Sequence, residues 1–472
     1  FRHWFSLSPE AAMPGKSFVV LEALENFGGT WLMHTYPGVR SDSDLYTFGY
    51  RFKPWLGTPI AGAQEILDYM GEVIDEADLT PHIRYRHKIT SAAFSRETNL
   101  WTVESERTDT GERRVFTCNF LWMCQGYYEH AKGYTPDWPG MSDYKGQIVH
   151  PQTWPKDIDL KDKNVLVIGS GATTATVVPA IAGDCKHVTV LQRSPTYFIP
   201  GRNINEVVEM LRTIGVDEMT VHDIARKKIL YDQDQFTKRS FEDPEPLREE
   251  LLGGVRMFLG PDYDMTHFTP RYRPWRQRIA FVPDGDLFQG IAAGKATMVT
   301  DEIDRFTEGG VLLKSGQELK ADIIITATGF NLSVLGGIPF SVDGQPINFA
   351  DTVTYRGMMF TGVPNMVWVF GYFRASWTLR VDLVGDFVCR LLNHMDEARV
   401  QRVEVAIPEA DKGMEIMPWI DPENFNPGYL MRRMHLLPKR GAKYEWQHTQ
   451  DYWREKEEIP AIDLTGSTFK YG

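Results

Sequence analysis

The chain has 472 residues, of which 42% are hydrophobic, 24% charged and 12% aromatic, a globular composition that excludes a disordered chain. At roughly 150 residues per domain the length implies three domains or two large ones. Lysine and arginine total 51 against 63 acidic residues, a net charge of −12 that repels phosphate backbones and argues against a nucleic-acid partner. Four cysteines, Cys118, Cys124, Cys185 and Cys389, show neither CxxC spacing nor a nearby histidine cluster. They exclude a disulfide framework, give no sign of a metal site, and read as buried reduced thiols of a cytoplasmic protein.

In chain order, residues 17–21 (SFVVL) read as a buried strand ending at Glu22 and followed by an FGG turn. Over residues 63–77, Ile66, Leu67, Met70, Val73 and Ile74 share one helical face. Residues 101–106 and 115–124 read as strands around the turn Asp109-Thr-Gly-Glu112. Residues 164–168 form a strand, 172–182 a helix and 187–191 a second strand, which makes the sheet there parallel. Residues 201–265 are charged and helix-prone, and strands follow at 296–300, 310–313, 321–326 and 366–370. A long helix is expected over 378–395, and the tail from Pro408, rich in proline, tryptophan and charge, is expected to wrap the surface.

The uncharged stretches 164–183 and 357–373 are broken by Gly169, Gly171 and Pro179 and by Gly362 and Pro364. Both read as strand–turn–helix rather than as membrane spans. The opening FRHWFSLSPEAA lacks the continuous apolar core of a signal peptide. Peripheral membrane association and oligomeric state stay open.

The strand NVLVI runs into Gly169-Ser170-Gly171-Ala172-Thr173-Thr174-Ala175. Two glycines let the backbone turn tightly against a pyrophosphate, and the helix N-terminus supplies amide donors. Thr174 stands where a third small residue is usual, so the motif gains its weight from the flanking strands and helix. The second strand ends at Gln192-Arg193-Ser194, with arginine where an NAD site places a carboxylate. A guanidinium there suits a 2′-phosphate and favours NADPH, the plainer reading being an arginine on a solvated strand end.

SFVVLEALENFGGTW resembles the second strand of another dinucleotide unit, with Glu22 placed for ribose hydroxyls and Gly28-Gly29-Thr30-Trp31 as a tight loop. The matching glycine loop belongs about 20 residues earlier, near residue 2, where no GxG occurs. The expectation is a chain that starts just after that loop, as a fragment or through loss of the first phosphate cradle.

Tyr144-Lys-Gly146-Gln-Ile-Val-His150-Pro-Gln-Thr-Trp154-Pro155 resembles the fingerprint Phe-x-Gly-x-x-x-His-x-x-x-Trp-Pro of the Baeyer–Villiger monooxygenases, with Tyr144 in place of Phe. The similarity extends from about Pro14 through YPGVRSDSDLYTFGYRFKPW, LQRSPTY, PRYRPWRQR and ADIIITATGFN to ASWTLRVDLVGDFVCRLL. Within the family the chain is most similar to the ethionamide-activating monooxygenases.

The resemblance implies a class B flavoprotein monooxygenase. FAD is reduced by NADPH, reacts with O2, and a C4a-peroxyflavin converts a ketone into an ester or lactone; thioethers and thioamides are further substrate classes. Arg278 falls at the family's active-site arginine and Asp42 at the aspartate that pairs with it. By the same resemblance Thr30, Trp31, Leu32, Met33 and Asp42 line FAD, with Glu22 at its ribose and Ile89 near its adenine. Gly169 to Ala175, Arg193 and Ser194 hold NADPH, and Arg40, Ser41 and Asp42 lie where the cofactors meet. Gly146, His150 and Trp154 belong to the segment between domains, where a packed hinge is the simpler role.

The implied fold is α/β, with two Rossmann-like dinucleotide-binding domains, the second inserted in the first. Residues 1–150 would form the first part of the FAD domain and 355–472 its second part and tail. Residues 157–354 would form the NADP domain, carrying a helical insertion over 201–290. Two alternatives stand beside ester formation: an enzyme that mainly oxygenates sulfur or nitrogen, and an inactive NADP-binding relic. Read without the family, the run Arg271, Arg273, Arg276 and Arg278 is a solvated basic loop.

Overall fold

Apolar β-branched runs set the central sheet of the molecule, a computed structural model describing residues 15–472. Five parallel strands lie in the order Ala296–Thr300, His187–Gln192, Asn164–Ile168, Ile323–Thr326 and Gln147–Val149. Alternation along Asn164–Ile168 feeds two different cores. Val165 and Val167 face the helix Ala172–Ile181, with Val188, Val190 and Phe288 around them. Leu166 and Ile168 face the other way, onto Phe306, Val311 and Leu313 of a three-stranded antiparallel sheet. A strand buried on both faces explains the uninterrupted NVLVI.

The remaining strands build a second region. Its larger sheet runs Gln345–Pro346, Phe340–Val342, His87–Ser95, Leu100–Arg107 and Arg113–Cys118. Two short parallel pairs, Val20–Leu21 with Ile83–Arg84 and Leu121–Met123 with Met366–Trp368, accompany it. The single strand expected over 115–124 is thus two strands in different sheets, because Asn119 turns the chain and its carbonyl accepts from the buried Asn365 side chain at 2.8 Å. The 357–373 stretch holds the strands Met359–Phe360 and Met366–Trp368 and no helix. Left-handed backbone at Gly362 and Asn365 turns it back on itself.

The helical insertion is Glu206–Thr213, Glu218–Glu242 and Pro244–Leu259. Asn205 and Asp217 cap the first two through Val207, Val208 and Thr220 amides. Val208, Val221 and Ala225 pack on Leu45, Tyr46, Trp55 and Ile66. Arg226 ties the contact by donating to the Tyr46 and Gly49 carbonyls at 2.7 and 3.2 Å.

The tail differs from its expected surface course. Trp419, Phe425, Leu430, Leu437 and Trp446 are buried in the two cores of the second region. Arg380, on the long helix Trp377–Ala398, pairs with Glu455 at 3.0 Å, and both are buried. Pro, Trp and charge in the tail therefore mark irregular backbone around a core, not a solvated wrap. Of the four thiols, all free, only Cys185 is buried, whereas Cys124 is exposed and Cys118 and Cys389 are half-buried.

Candidate functional site

The strand–loop–helix at 164–181 forms an anion cradle. Gly169 has φ 131°, and a Cβ there would lie 2.3 Å from the Ala327 carbonyl oxygen, so only glycine permits this approach. At Gly171 a Cβ would meet nothing, and no side chain caps the helix that begins at Ala172. The first-turn amides are left for a ligand. Thr174, in the third position of the motif, is buried with its hydroxyl unpartnered. Ser170 Oγ bonds the Ser194 carbonyl at 3.2 Å and Thr196 Oγ1 at 2.9 Å, closing the loop onto the next strand end. Arg193 and Ser194 are exposed beside it. Glycines against carbonyl, free amides and an exposed guanidinium fit the phosphates of a dinucleotide.

A junction loop, residues 36–42, crosses from the second region onto this helix. Tyr36 hydrogen-bonds Thr173, and Gly38, at φ 73°, sits against Thr176 and Ala180. Arg40 donates to both Asp286 oxygens, at 2.6 and 3.2 Å, and to the Ala175 carbonyl at 3.1 Å. Ser41 is buried and its hydroxyl accepts from the Ala61 amide at 3.3 Å. Arg40 and Ser41 are thus engaged with protein, and Asp42 is the loop's exposed polar group.

Asp42 Oδ2 lies 3.4 Å from Arg278 Nη2. Arg278 is deep in the protein yet keeps 34% of its side chain accessible. Asp42, first, raises the guanidinium above its usual range, with Tyr429, Tyr127 and Tyr128 acting in the same sense. These tyrosines were not found by sequence reasoning. Tyr127 stacks on Trp377 at 4.7 Å, and its hydroxyl lies 2.9 Å from that of Tyr128. Tyr429, from the tail, has a buried hydroxyl that faces those of Tyr127 and Tyr128. Burial raises Tyr128 and Tyr429 well above an ordinary phenol, so both stay protonated donors.

The basic run around Arg278 is not a solvated loop. Arg273 donates to the Asn424 carbonyl at 2.9 Å and Arg276 pairs with Glu423 at 3.0 Å, fastening the run to the tail; Arg271 alone is exposed.

In the second region, Glu22 follows the Val20–Leu21 strand and accepts from the Leu24 amide at 2.9 Å. Gly28 and Gly29, both at positive φ, turn the chain into the short helix Thr30–Met33. A Cβ at Gly28 would overlap Leu67 and crowd Leu32. Thr30 is exposed, Trp31 meets the Phe48 edge at 5.9 Å, and Leu32, Met33 and Ile89 are half-buried. An acidic strand end followed by a glycine turn fits the ribose side of a second dinucleotide. The glycine loop expected near residue 2 lies outside the described residues.

The fingerprint is packed between the regions. Tyr144 donates to the Ala321 carbonyl at 3.0 Å, which gives its extra hydroxyl a buried partner. A Cβ at Gly146 would lie 2.4 Å from the Asp322 carbonyl. His150 accepts from the Gln152 amide at Nδ1 and meets the Gly329 carbonyl at Nε2, 3.1 Å each. Burial holds His150 below its ordinary range. Burial likewise brings His34 down to about 4, with His130 and His150 as further causes. Trp154 packs on the core beneath the nucleotide cradle. Among the described residues no His, Cys, Asp and Glu cluster could hold a metal ion, and no helix is long and apolar enough to cross a membrane.

Comparison with known proteins agrees with this arrangement. Residues 60–214 match the flavin-binding monooxygenase-like family. FAD-containing monooxygenase EthA of Mycobacterium tuberculosis is 44% identical over 445 residues, 94% of this chain and 89% of that protein. Probable FAD-binding monooxygenase AlmA of Acinetobacter baylyi is 40% identical over 94% of this chain and 89% of its own length. A structure of oxidized steroid monooxygenase bound to NADP superposes with a TM-score of 0.74 over 97% of this chain and 95% of that one, at 22% identity. Cyclohexanone monooxygenase of Rhodococcus sp. Phi1, bound to NADP+, superposes at 0.70 over 96% and 94%, at 20% identity, and carries the same two-region α/β fold. The chain belongs to the flavin-binding monooxygenase-like family.

Proposed function

We propose that this chain inserts oxygen next to a ketone carbonyl, giving an ester or lactone, and that it also oxygenates thioethers and thioamides. The enzyme class is that of an FAD-dependent monooxygenase with NADPH as its reductant. FAD, reduced by NADPH, supplies the activated oxygen. The observation that supports the reading is the Asp42–Arg278 pair at 3.4 Å, in which both side chains keep about a third of their surface accessible.

In this reading residues 1–150 and 355–472 form the FAD domain and 157–354 the NADP domain, and the enzyme acts in the cytoplasm. The uncapped amides at Ala172 to Thr174 and the Arg193 guanidinium bind NADPH, and Glu22, Thr30 and Trp31 bind FAD. Arg278 is a permanent cation held in place by Asp42. It stabilises negative charge that develops on oxygen during transfer. Tyr128 and Tyr429, kept protonated by burial, back Arg278 from the protein side and help to hold it in place.

The test is product analysis of flavin-loaded protein given NADPH, O2 and paired ketone and thioether substrates. Ester as the main ketone product supports the reading. Sulfoxide without any ester overturns it in favour of heteroatom oxygenation, and a protein that takes up no flavin overturns catalysis itself.

A further inference from the structure

The short tail helix Gly428–Arg433 brings a cation to the nucleotide cradle from the far end of the chain. Arg432 folds back along this helix, and a Cβ at Gly428 would lie 3.1 Å from its Nη1. Its guanidinium lies over the Tyr134 ring, 3.5 Å from the centroid, and donates to the Phe330 carbonyl at 3.3 Å. Nη2 also lies 3.8 Å from the Cβ position of Gly329. This turn, 327–330, follows the strand Ile323–Thr326 and presents the Ala327 carbonyl against which Gly169 packs. Arg432 and the glycine loop therefore approach one turn of backbone.

The charges around Arg432 are unbalanced. Arg193 and Arg433 both act on it, and the carboxylate that Arg193 in turn acts on, Glu302, is already paired with Lys314 at 2.5 Å. Burial and these like charges lower the Arg432 guanidinium, with only the Tyr134 phenol opposing them. Guanidiniums gathered at one turn of backbone, in a protein of net charge −12, are a site for an anion the ligand brings.

We propose that Arg432 is a second cation of the dinucleotide site, binding the pyrophosphate while Arg193 binds the 2′-phosphate. This rests on the NADPH reading above. The two arginines divide the work by position. Arg193 stands at the exposed end of the second strand, and Arg432 stands at the turn beside the glycine loop.

The test measures dissociation constants of NADP+, NAD+ and 2′-AMP for the purified full chain by calorimetry, with no turnover required. Arg432→Ala is expected to weaken NADP+ and NAD+ by a similar factor, roughly tenfold or more, and to leave 2′-AMP unchanged. Arg432→Lys should recover part of the loss, which a purely packing role on Tyr134 would not give. Arg193→Ala should weaken NADP+ and 2′-AMP and spare NAD+. Unchanged NADP+ affinity in Arg432→Ala, with an unchanged melting temperature, overturns the inference alone. A loss confined to ligands carrying the 2′-phosphate also overturns it. Failure of the unaltered protein to bind NADP+ overturns the NADPH reading and this inference with it.

Discussion

Asp42 and Arg278, 236 positions apart, meet at 3.4 Å where the junction loop and the basic run converge. The carboxylate comes from a loop pinned on one side by Arg40 to Asp286, and the guanidinium from a run pinned by Arg273 and Arg276 to the tail. Both ends of the pair are fixed before any ligand arrives, which is the condition for electrostatic preorganisation. Asp42→Asn should keep the loop and the flavin but loosen Arg278. NADPH consumption should continue while the ester formed per NADPH falls roughly tenfold, the difference appearing as hydrogen peroxide. Parallel assays of NADPH, ester and peroxide check this.

Arg193 sits exposed at the end of the His187–Gln192 strand. Its replacement by alanine should raise KM for NADPH by roughly tenfold or more and leave KM for NADH nearly unchanged, because only the former carries the 2′-phosphate. Steady-state kinetics with both nucleotides measure it, and equal effects would remove Arg193 from cofactor choice.

Asp44 caps the helix Leu45–Phe48 by accepting from the Tyr46 amide. Burial raises its carboxyl to about 7, against the lowering effect of that hydrogen bond. The folded state then holds a proton that the unfolded chain releases near its ordinary value. This contribution to stability grows as pH falls through the window from about 7 to about 4 and is lost as pH rises through it. Asp44 keeps partial exposure, so the linkage maximum of about 4 kcal/mol is an upper bound. Asp44→Asn preserves the cap and removes the charge. Near pH 8 it should stabilise by about 1–2 kcal/mol, and near pH 4 by about 0.5 or less. Thermal unfolding at the two pH values checks the sign.

Much of the nucleotide cradle was legible because its physics is local. NVLVI is a strand buried on both faces, Gly169 must approach a carbonyl, and the helix at Ala172 follows directly. The tail was not legible. Trp419, Leu430 and Trp446 lie in irregular backbone with no repeating period, and tertiary packing alone buries them. For the same reason Tyr429 and Arg432 escaped notice, though they stand beside Arg278 and the glycine loop. Tyr127 and Tyr128 are adjacent in sequence, a spacing that carries no signal, and only the fold turns both toward Arg278. The Asp42–Arg278 pairing came from family resemblance, since no pattern in one sequence links a loop aspartate to an arginine 236 residues away.

The most direct measurement is ester formation from a ketone under isotopically labelled O2, in the unaltered protein and in Arg278→Ala, both loaded with FAD and matched in flavin absorbance. The account predicts label in the ester from the unaltered protein and loss of nearly all ester in the variant, with FAD retained. Undiminished labelled ester from Arg278→Ala, or no ester from the flavin-loaded unaltered protein, would contradict it.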